Sequence, residues 1–178
     1  MPSVRDRLTN LNIVIQSPDR SVRANVTQQR GITVDLDDHV ADFHDDATLA
    51  EQVESALTGA AQGFAKAAVM IRREAHGGDA NPDSPAERKR RELERRMEEV
   101  EVSIESPLGH VAIGWLGADA IAVTIKPGSL RKLRVGQLRA EINAAVMGVS
   151  VLRQRQGMDI YTSIYGFDRF GKRKDQGR

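Results

Sequence analysis

The chain of 178 residues has no cysteine, no long apolar run and almost no net charge. Without cysteine it has no disulfide, thiol nucleophile or thiolate metal ligand. No apolar run approaches the roughly 18 to 20 residues needed to span a membrane, and the N-terminal sequence MPSVRDRLTN lacks the apolar segment of a signal peptide. A formal net charge of +1 says little about partners. These absences favour a cytoplasmic protein without a membrane segment, long enough for one domain or two small ones.

The sequence repeats itself at an offset of 89 residues. The stretch 16–37 (QSPDRSVRANVTQQRGITVDLD) aligns without a gap on 105–126 (ESPLGHVAIGWLGADAIAVTIK). In each copy, apolar residues occupy alternate positions in three short runs, separated by turn sequences such as SPDRS and SPLGH. Alternation with a period of two predicts strands that each bury one face. Each copy is therefore expected to form a three-stranded antiparallel meander.

An amphipathic helix is predicted after each meander, because apolar residues then recur every three or four positions. This pattern runs from Leu49 in the first copy and from Leu138 in the second. The first helix is rich in alanine, which by itself favours helix, but it also contains Gly59 and Gly63. Each internal glycine costs a helix roughly 0.8 to 1 kcal/mol. We interpret the two glycines as positions of close packing, where another backbone approaches as at a helix–helix contact.

A linker and a charged helix are predicted between the copies. Gly, Pro, Asn and Asp fill residues 77–83, and Ser84, Pro85 and Glu87 then form a helix start signal,. The helix running to about Val100 has few apolar residues, so it should project and touch the rest mainly at its C-terminal end. The N-terminal ten residues allow only about two helical turns. The predicted fold is α+β, with a first repeat (1–76), linker (77–83), second repeat (84–156) and aromatic, basic tail (157–178).

The second copy resembles the YbaB/EbfC family of bacterial nucleoid-associated proteins. The resemblance rests on a Glu-rich helix end, the strands HVAIGWLG and AIAVTIKPGSL, and a closing helix with Asn143, Ala144 and Ala145. It covers about residues 84–156, whereas the first copy matches only as strands plus helix. The resemblance implies a DNA-binding protein with little sequence preference and a dimeric fold, which one chain with two copies would imitate as a pseudo-dimer. Relatives associated with type VII secretion imply a second function, that of an adaptor.

Charge distinguishes the two copies. Residues 1–75 contain eight basic and eleven acidic side chains, and residues 101–178 contain twelve basic and seven acidic ones. After the third strand, the first copy has DDHVADFHDD where the second has KPGSLRKLR. Because Arg and Lys bind DNA phosphates, we predict DNA contacts in this basic segment, on the helix that follows it, on the charged helix and in the tail. Each residue alone could instead be an ordinary solvated side chain. The candidates are Lys126, Arg131, Lys132, Arg134, Arg139, Arg153, Arg155, Arg88, Lys89, Arg91, Lys172, Arg173 and Lys174.

Three other features allow two interpretations each. The acidic segment with His39 and His44 resembles a set of hard-metal ligands, but it lacks the spacing of a calcium loop and Asp46 is suited to capping the next helix, so no metal site is predicted. The aromatic residues of the tail could stack on bases or dock on their own domain. Trp115 keeps the alternating phase of its strand, which favours the core over a base-stacking position.

No catalytic arrangement is recognisable in the sequence. His76 and His110 stand alone in predicted turns, and there is neither a Gly-rich phosphate loop nor a Ser–His–Asp set,. We therefore expect a non-enzymatic protein without a cofactor, located at the cytoplasmic nucleoid, that binds DNA largely independently of sequence and forms homo-oligomers. The alternative is a protein-interaction adaptor or chaperone of a secretion system, which the acidic first copy and the near-neutral net charge support.

Overall fold

The computed structural model describes residues 3–76 and 84–166 as an α+β chain with two three-stranded antiparallel sheets. The first half contains α1 (Val4–Thr9), β1 (Asn12–Gln16), β2 (Val22–Thr27), β3 (Gly31–Leu36), α2 (Val40–Phe43) and α3 (Asp46–His76). The second half contains α4 (Pro85–Glu98), β4 (Glu101–Glu105), β5 (Val111–Leu116), β6 (Ala120–Ile125), α5 (Ser129–Lys132) and α6 (Val135–Tyr165). From β1 to α3, every element recurs with both ends shifted by 89 residues. The predicted linker lies outside the described residues.

The two predicted meanders are confirmed, with strand orders β1-β2-β3 and β4-β5-β6. Alternate residues of the central strands are buried, as in Val22, Ala24 and Val26 of β2. The turn between the first two strands of each sheet is built in the same way. The Oγ atom of Ser17 accepts a hydrogen bond from the Val22 amide, and Ser106 does the same for Val111, both at 3.0 Å.

Each long helix packs on both sheets. Helix α3 contacts β1 and β2 of its own sheet and also β6 of the other, whereas α6 contacts β4 and β5 and also β3. The buried residues of both halves consequently form one hydrophobic cluster. Leu49 and Leu138, which occupy equivalent positions, are both completely buried in it. Burial of apolar surface from both halves in one cluster makes each half part of the other's core.

The glycines of α3 approach strand side chains instead of a second helix. A Cβ atom added to Gly59 would lie 3.1 Å from Cγ2 of Ile15, and one added to Gly63 would lie 3.1 Å from Cγ2 of Ile13. In α6, a Cβ atom on Gly148 would lie only 2.6 Å from Cδ1 of Ile104. The expected close packing at these glycines is therefore present, but the close neighbour is the first strand of the same sheet and not a second helix.

The charged helix α4 starts as predicted, since the Oγ atom of Ser84 accepts the amide of Glu87 at 3.1 Å. It does not touch the rest only at its C-terminal end, however. Met97 packs at Gly157 of α6, and the Lys89 ammonium lies 5.4 Å from the Tyr165 ring centre. These two contacts place α4 antiparallel along the C-terminal half of α6, so the expectation that it touches the rest mainly at its C-terminal end is wrong. We call this pair the second arm.

Helix α6 continues through the predicted boundary at residue 156 and ends at Tyr165. The first part of the predicted tail is therefore helix, and residues 167–178 lie outside the described part of the chain. In the first half, α1 is a single short helix, as predicted, and it packs on the C-terminal part of α3. Its Arg7 pairs with Glu74 at 2.7 Å, at the same positions where Arg96 of α4 donates to Ser163 at 3.2 Å.

Candidate nucleic-acid interface

The predicted basic segment forms a turn between β6 and α6, which we call the basic loop (Lys126–Arg134). Gly128 adopts a positive φ of 86°, and the short helix α5 follows it. Four cationic side chains of the loop are exposed, and none of them makes an ion pair with another described residue. These residues are Lys126, Arg131, Lys132 and Arg134. Their exposure fits both interpretations of the sequence, phosphate contact and an ordinary solvated surface.

The backbone of the basic loop is held by an acidic residue of the first copy. The two carboxylate oxygens of Asp46 accept hydrogen bonds from the amides of Gly128 at 2.7 Å and Leu130 at 2.8 Å. From the other side, the buried Ser129 contacts Nδ1 of His110 at 2.9 Å. Asp46 is therefore not the helix cap that we expected. That role belongs to Asp45, whose Oδ1 accepts the Thr48 amide at 2.7 Å.

Asp46 also modifies the charge of the basic loop. One carboxylate lies directly against the loop backbone, while four cations extend into solvent. Exposed charges act over about one Debye length, roughly 8 Å at physiological salt. The loop therefore keeps a positive excess, but the acidic and basic segments are neighbours and do not lie at separate ends of the molecule.

Two further candidates, Arg139 and Arg153, are already engaged within the protein. Arg139 pairs with Asp35 of β3 at 2.8 Å, and this bond together with the charge of Arg139 lowers the pKa of the Asp35 carboxyl. The Arg153 guanidinium lies 4.8 Å from the Trp115 ring centre and donates to the Ala118 carbonyl at 2.9 Å. Burial there lowers the pKa of Arg153. Trp115 is half-buried against the core, as favoured by its phase.

The remaining candidates lie along α6 and the second arm. Arg88 and Arg155 are exposed, and Lys89 lies over Tyr165, which stacks on Tyr161 with ring centres 4.4 Å apart. Helix α6 has 31 residues, so at about 1.5 Å per residue its ends are about 46 Å apart. The basic loop and Lys89 therefore do not form one cluster.

Ion pairs between neighbouring residues of α4 neutralise much of its charge. Glu92 accepts from Arg95 and Arg96, and these bonds lower its pKa to about 2. Arg95 also reaches Glu99 at 2.6 Å, and Arg90 reaches Glu87 at 2.7 Å. The candidate Arg91 also takes part in an interaction. Lys172, Arg173 and Lys174 lie outside the described residues.

Most carboxylates of the acidic segment have local partners. Asp37 accepts the amide of His39 at 2.8 Å, and the His39 ring lies 3.3 Å from Asp42. His44 pairs with Asp19 of the β1–β2 turn at 2.8 Å. Within residues 3–76 and 84–166, no group of three or more His, Asp or Glu side chains is arranged to hold a metal ion.

Two polar contacts between the halves were not recognised in the sequence. The Asn143 side chain accepts the amide and donates to the carbonyl of Val34, both at 2.8 Å. At the equivalent positions, Glu54 accepts the amide of Val123 at 3.1 Å. Each side chain thus forms hydrogen bonds with backbone groups at the outer edge of the third strand of the other half. The sequence signal for these contacts was a pair of polar residues at matching helix positions. A search for periodic apolar residues does not detect such a pair.

Comparison with known proteins adds no assignment. No family model, no curated protein and no solved structure matches the chain. In the described part of the chain, no helix has the length and apolar character required to cross a membrane. What the site itself offers is a fixed loop that presents guanidinium and ammonium groups. These groups are suited to an extended polyanion.

Proposed function

We propose that the protein is a non-enzymatic DNA-binding protein of YbaB/EbfC type that contacts phosphates through the basic loop. The observation that carries the proposal is the set of four exposed cations on a backbone fixed by Asp46 and Ser129. Phosphate contacts position a protein on DNA but carry no sequence information. Binding is consequently largely independent of sequence, and the nucleoid is the expected location.

The proposal includes a pseudo-dimeric architecture. Its support is the reciprocal packing of α3 on β6 and of α6 on β3. The contacts of Asn143 with Val34 and of Glu54 with Val123 add to it, because both pairs occur at the 89-residue offset. In such an arrangement each copy contributes one arm. The arm of the first copy, which consists of α1 on the C-terminal part of α3, is shorter than the second arm, since α1 has 6 residues and α4 has 14.

The test is retention of DNA by a charge-reversed loop. Arg131→Glu, Lys132→Glu and Arg134→Glu together should abolish binding, because the loop would repel phosphates, while circular dichroism remains native. A control with Arg5→Glu, Arg23→Glu and Arg30→Glu makes the same change of charge at exposed residues of the first copy and should bind nearly normally. For four phosphate contacts, the logarithm of wild-type affinity should fall against the logarithm of salt concentration with a slope of about −4. Normal binding by the reversed loop would contradict this assignment.

The second candidate is a protein-interaction adaptor or chaperone of a secretion system. Its support is the exposed acidic surface at Asp37, Asp38 and Asp42, together with a net charge of only +1. Such a surface suits a basic protein partner. Failure of the wild-type protein to bind DNA at low salt would favour this function. We also retain homo-oligomerisation as part of the proposal.

A further inference from the structure

Helix α6 carries an exposed apolar stripe on the side away from the core, which we call the outer face. It consists of Met147, Val151, Gln154, Met158 and Tyr161, spaced alternately by four and three residues. This spacing places all five on one side of a helix. The exposed fractions are 67% for Met147, 58% for Val151 and 56% for Met158, and Tyr161 at the end is 40% exposed.

The equivalent stripe of α3 is mostly polar. At the 89-residue offset, the five residues of the outer face correspond to Thr58, Gln62, Ala65, Val69 and Arg72. Val69, equivalent to Met158, is the one large apolar residue among them, and the half-buried Thr58 is hydrogen-bonded to the Ile121 backbone of β6. Preceding positions differ in the same sense, with Ala140 and Ala144 in α6 where α3 has Glu51 and Ser55. Because α3 packs on its two sheets with polar residues at these positions, the packing does not require an apolar outer face. The large apolar residues of α6 therefore need another explanation.

The spacing of the outer face is nearly symmetric about Gln154. Met147 and Tyr161 lie seven residues to either side of it, and Val151 and Met158 lie three and four residues away. An antiparallel pair of identical helices crossing near Gln154 would bring Val151 of one copy against Met158 of the other. Such a contact is isologous, the usual form in a twofold dimer. The stripe holds no charged residue, so two copies meet without repulsion between like charges along it.

We infer that the outer face of α6 binds the same face of a second copy of this chain. At the observed exposures it offers on the order of 500 Å² per copy, so two copies would bury about 1,000 Å², the lower limit for a specific interface. The inference names the surface for the proposed homo-oligomerisation and rests on that part of the proposal. It is independent of DNA binding, because the basic loop lies at the start of α6, before this stripe.

The first test is sedimentation without DNA over a hundredfold range of concentration up to tens of micromolar. Wild type should be a dimer at the upper end. Val151→Glu with Met158→Glu should weaken the dimer at least tenfold and leave circular dichroism unchanged, because both side chains are exposed. The matched control is Gln62→Glu with Val69→Glu, at the equivalent positions of α3, and it should dimerise like wild type.

The second test uses the absence of cysteine from the chain. Gln154→Cys introduces a single thiol near the inferred twofold axis, where two packed helices lie about 8–10 Å apart. A short cross-linker reactive toward two thiols should therefore join two copies. Ala65→Cys, its equivalent in α3, should remain uncoupled. A monomeric wild type would overturn both homo-oligomerisation and this surface. A dimer that survives the double Glu variant, or that couples through residue 65 and not 154, would overturn the surface alone.

Discussion

The two halves of the molecule share their apolar contacts and differ in many of their polar ones. Gly59 packs on Ile15 in the first half as Gly148 packs on Ile104 in the second. By contrast, Asp19 pairs with His44 in the first half, whereas the equivalent residues of the second half are both leucine.

The same division extends to the surfaces where the proposed functions lie. The segment after β3 is acidic and the segment after β6 is basic, although both contain a four-residue helix at equivalent positions. Burial and close packing constrain a side chain through volume and shape, whereas an exposed side chain is constrained only by what it binds. The comparison therefore separates residues that repeat because of folding from residues that differ because of surface chemistry.

The largest expected effect tests whether the halves share one core. Leu49→Ala and Leu138→Ala should each lower the free energy of unfolding by about 2–5 kcal/mol, because both side chains are completely buried,. Chemical denaturation should show a single transition for each variant. Leu108→Ala, at an exposed residue, should change stability by less than about 0.5 kcal/mol. Two separate transitions in either core variant would mean that the halves unfold independently.

The next effect compares two polar contacts between the halves that occupy equivalent positions. Asn143→Ala should cost about 1–3 kcal/mol, because the amide and carbonyl of the buried Val34 both lose a partner,. Glu54→Ala should cost about 1 kcal/mol, since it removes one bond to Val123,. Asn143→Asp retains the acceptor but not the donor and should fall between wild type and the Ala variant in denaturant melts. Equal costs for Asn143→Ala and Glu54→Ala would contradict the difference in bond number.

A third prediction concerns the support of the basic loop. Asp46→Ala should destabilise the protein by about 1–2 kcal/mol, because two amides lose a charged acceptor,. Amide hydrogen exchange should accelerate at Gly128 and Leu130. The control is Asp38→Ala, which removes an exposed acidic side chain from the same segment and should leave both amides unchanged. If exchange at the two amides is unaffected in Asp46→Ala, the carboxylate does not hold the loop.

The smallest effect is an acid sensitivity of the β1–β2 turn, which the equivalent turn of the second half should not show because leucine stands at the position of Asp19 there. Desolvation raises the pKa of Asp19, but hydrogen bonds from Ser17 and Ser21 and the nearby His44 outweigh it and lower the pKa to about 2. Since the folded pKa lies below the unfolded value of about 3.9, this stabilisation is present above pH 4 and is lost as the pH falls toward 2. Solvent screening limits it to less than about 1 kcal/mol. Asp19→Asn should flatten the dependence of unfolding free energy on pH between 4 and 2.

Apolar periodicity predicted both meanders and both long helices, because buried positions recur with the period of the element. The exposed basic loop was also predictable, since Lys126 to Arg134 contrasts with the acidic segment of the first copy. The length of α6 was underestimated, since its last turns lie beyond the sheets and pack on α4 instead, where the apolar pattern is weaker.

The partners of individual polar residues could not be predicted. Arg139 and Arg153 resemble the other candidates in sequence, yet they meet Asp35 and Trp115, which are far away along the chain. Whether a cation is free depends on which residues of the other half or of a neighbouring strand lie beside it. That information is absent from the local pattern of charge and periodicity.

The contact of Asp46 with the basic loop has a consequence for symmetry. The residue equivalent to Asp46 is Val135, which has no carboxylate to offer the first half. Two identical chains related by a twofold axis would have to make such a contact twice, whereas a single chain with two different halves makes it once. Covalent linkage also keeps the two halves at a high effective concentration, so their pairing withstands dilution. The molecule is therefore asymmetric at any concentration, because the contact between Asp46 and the basic loop occurs on one side only.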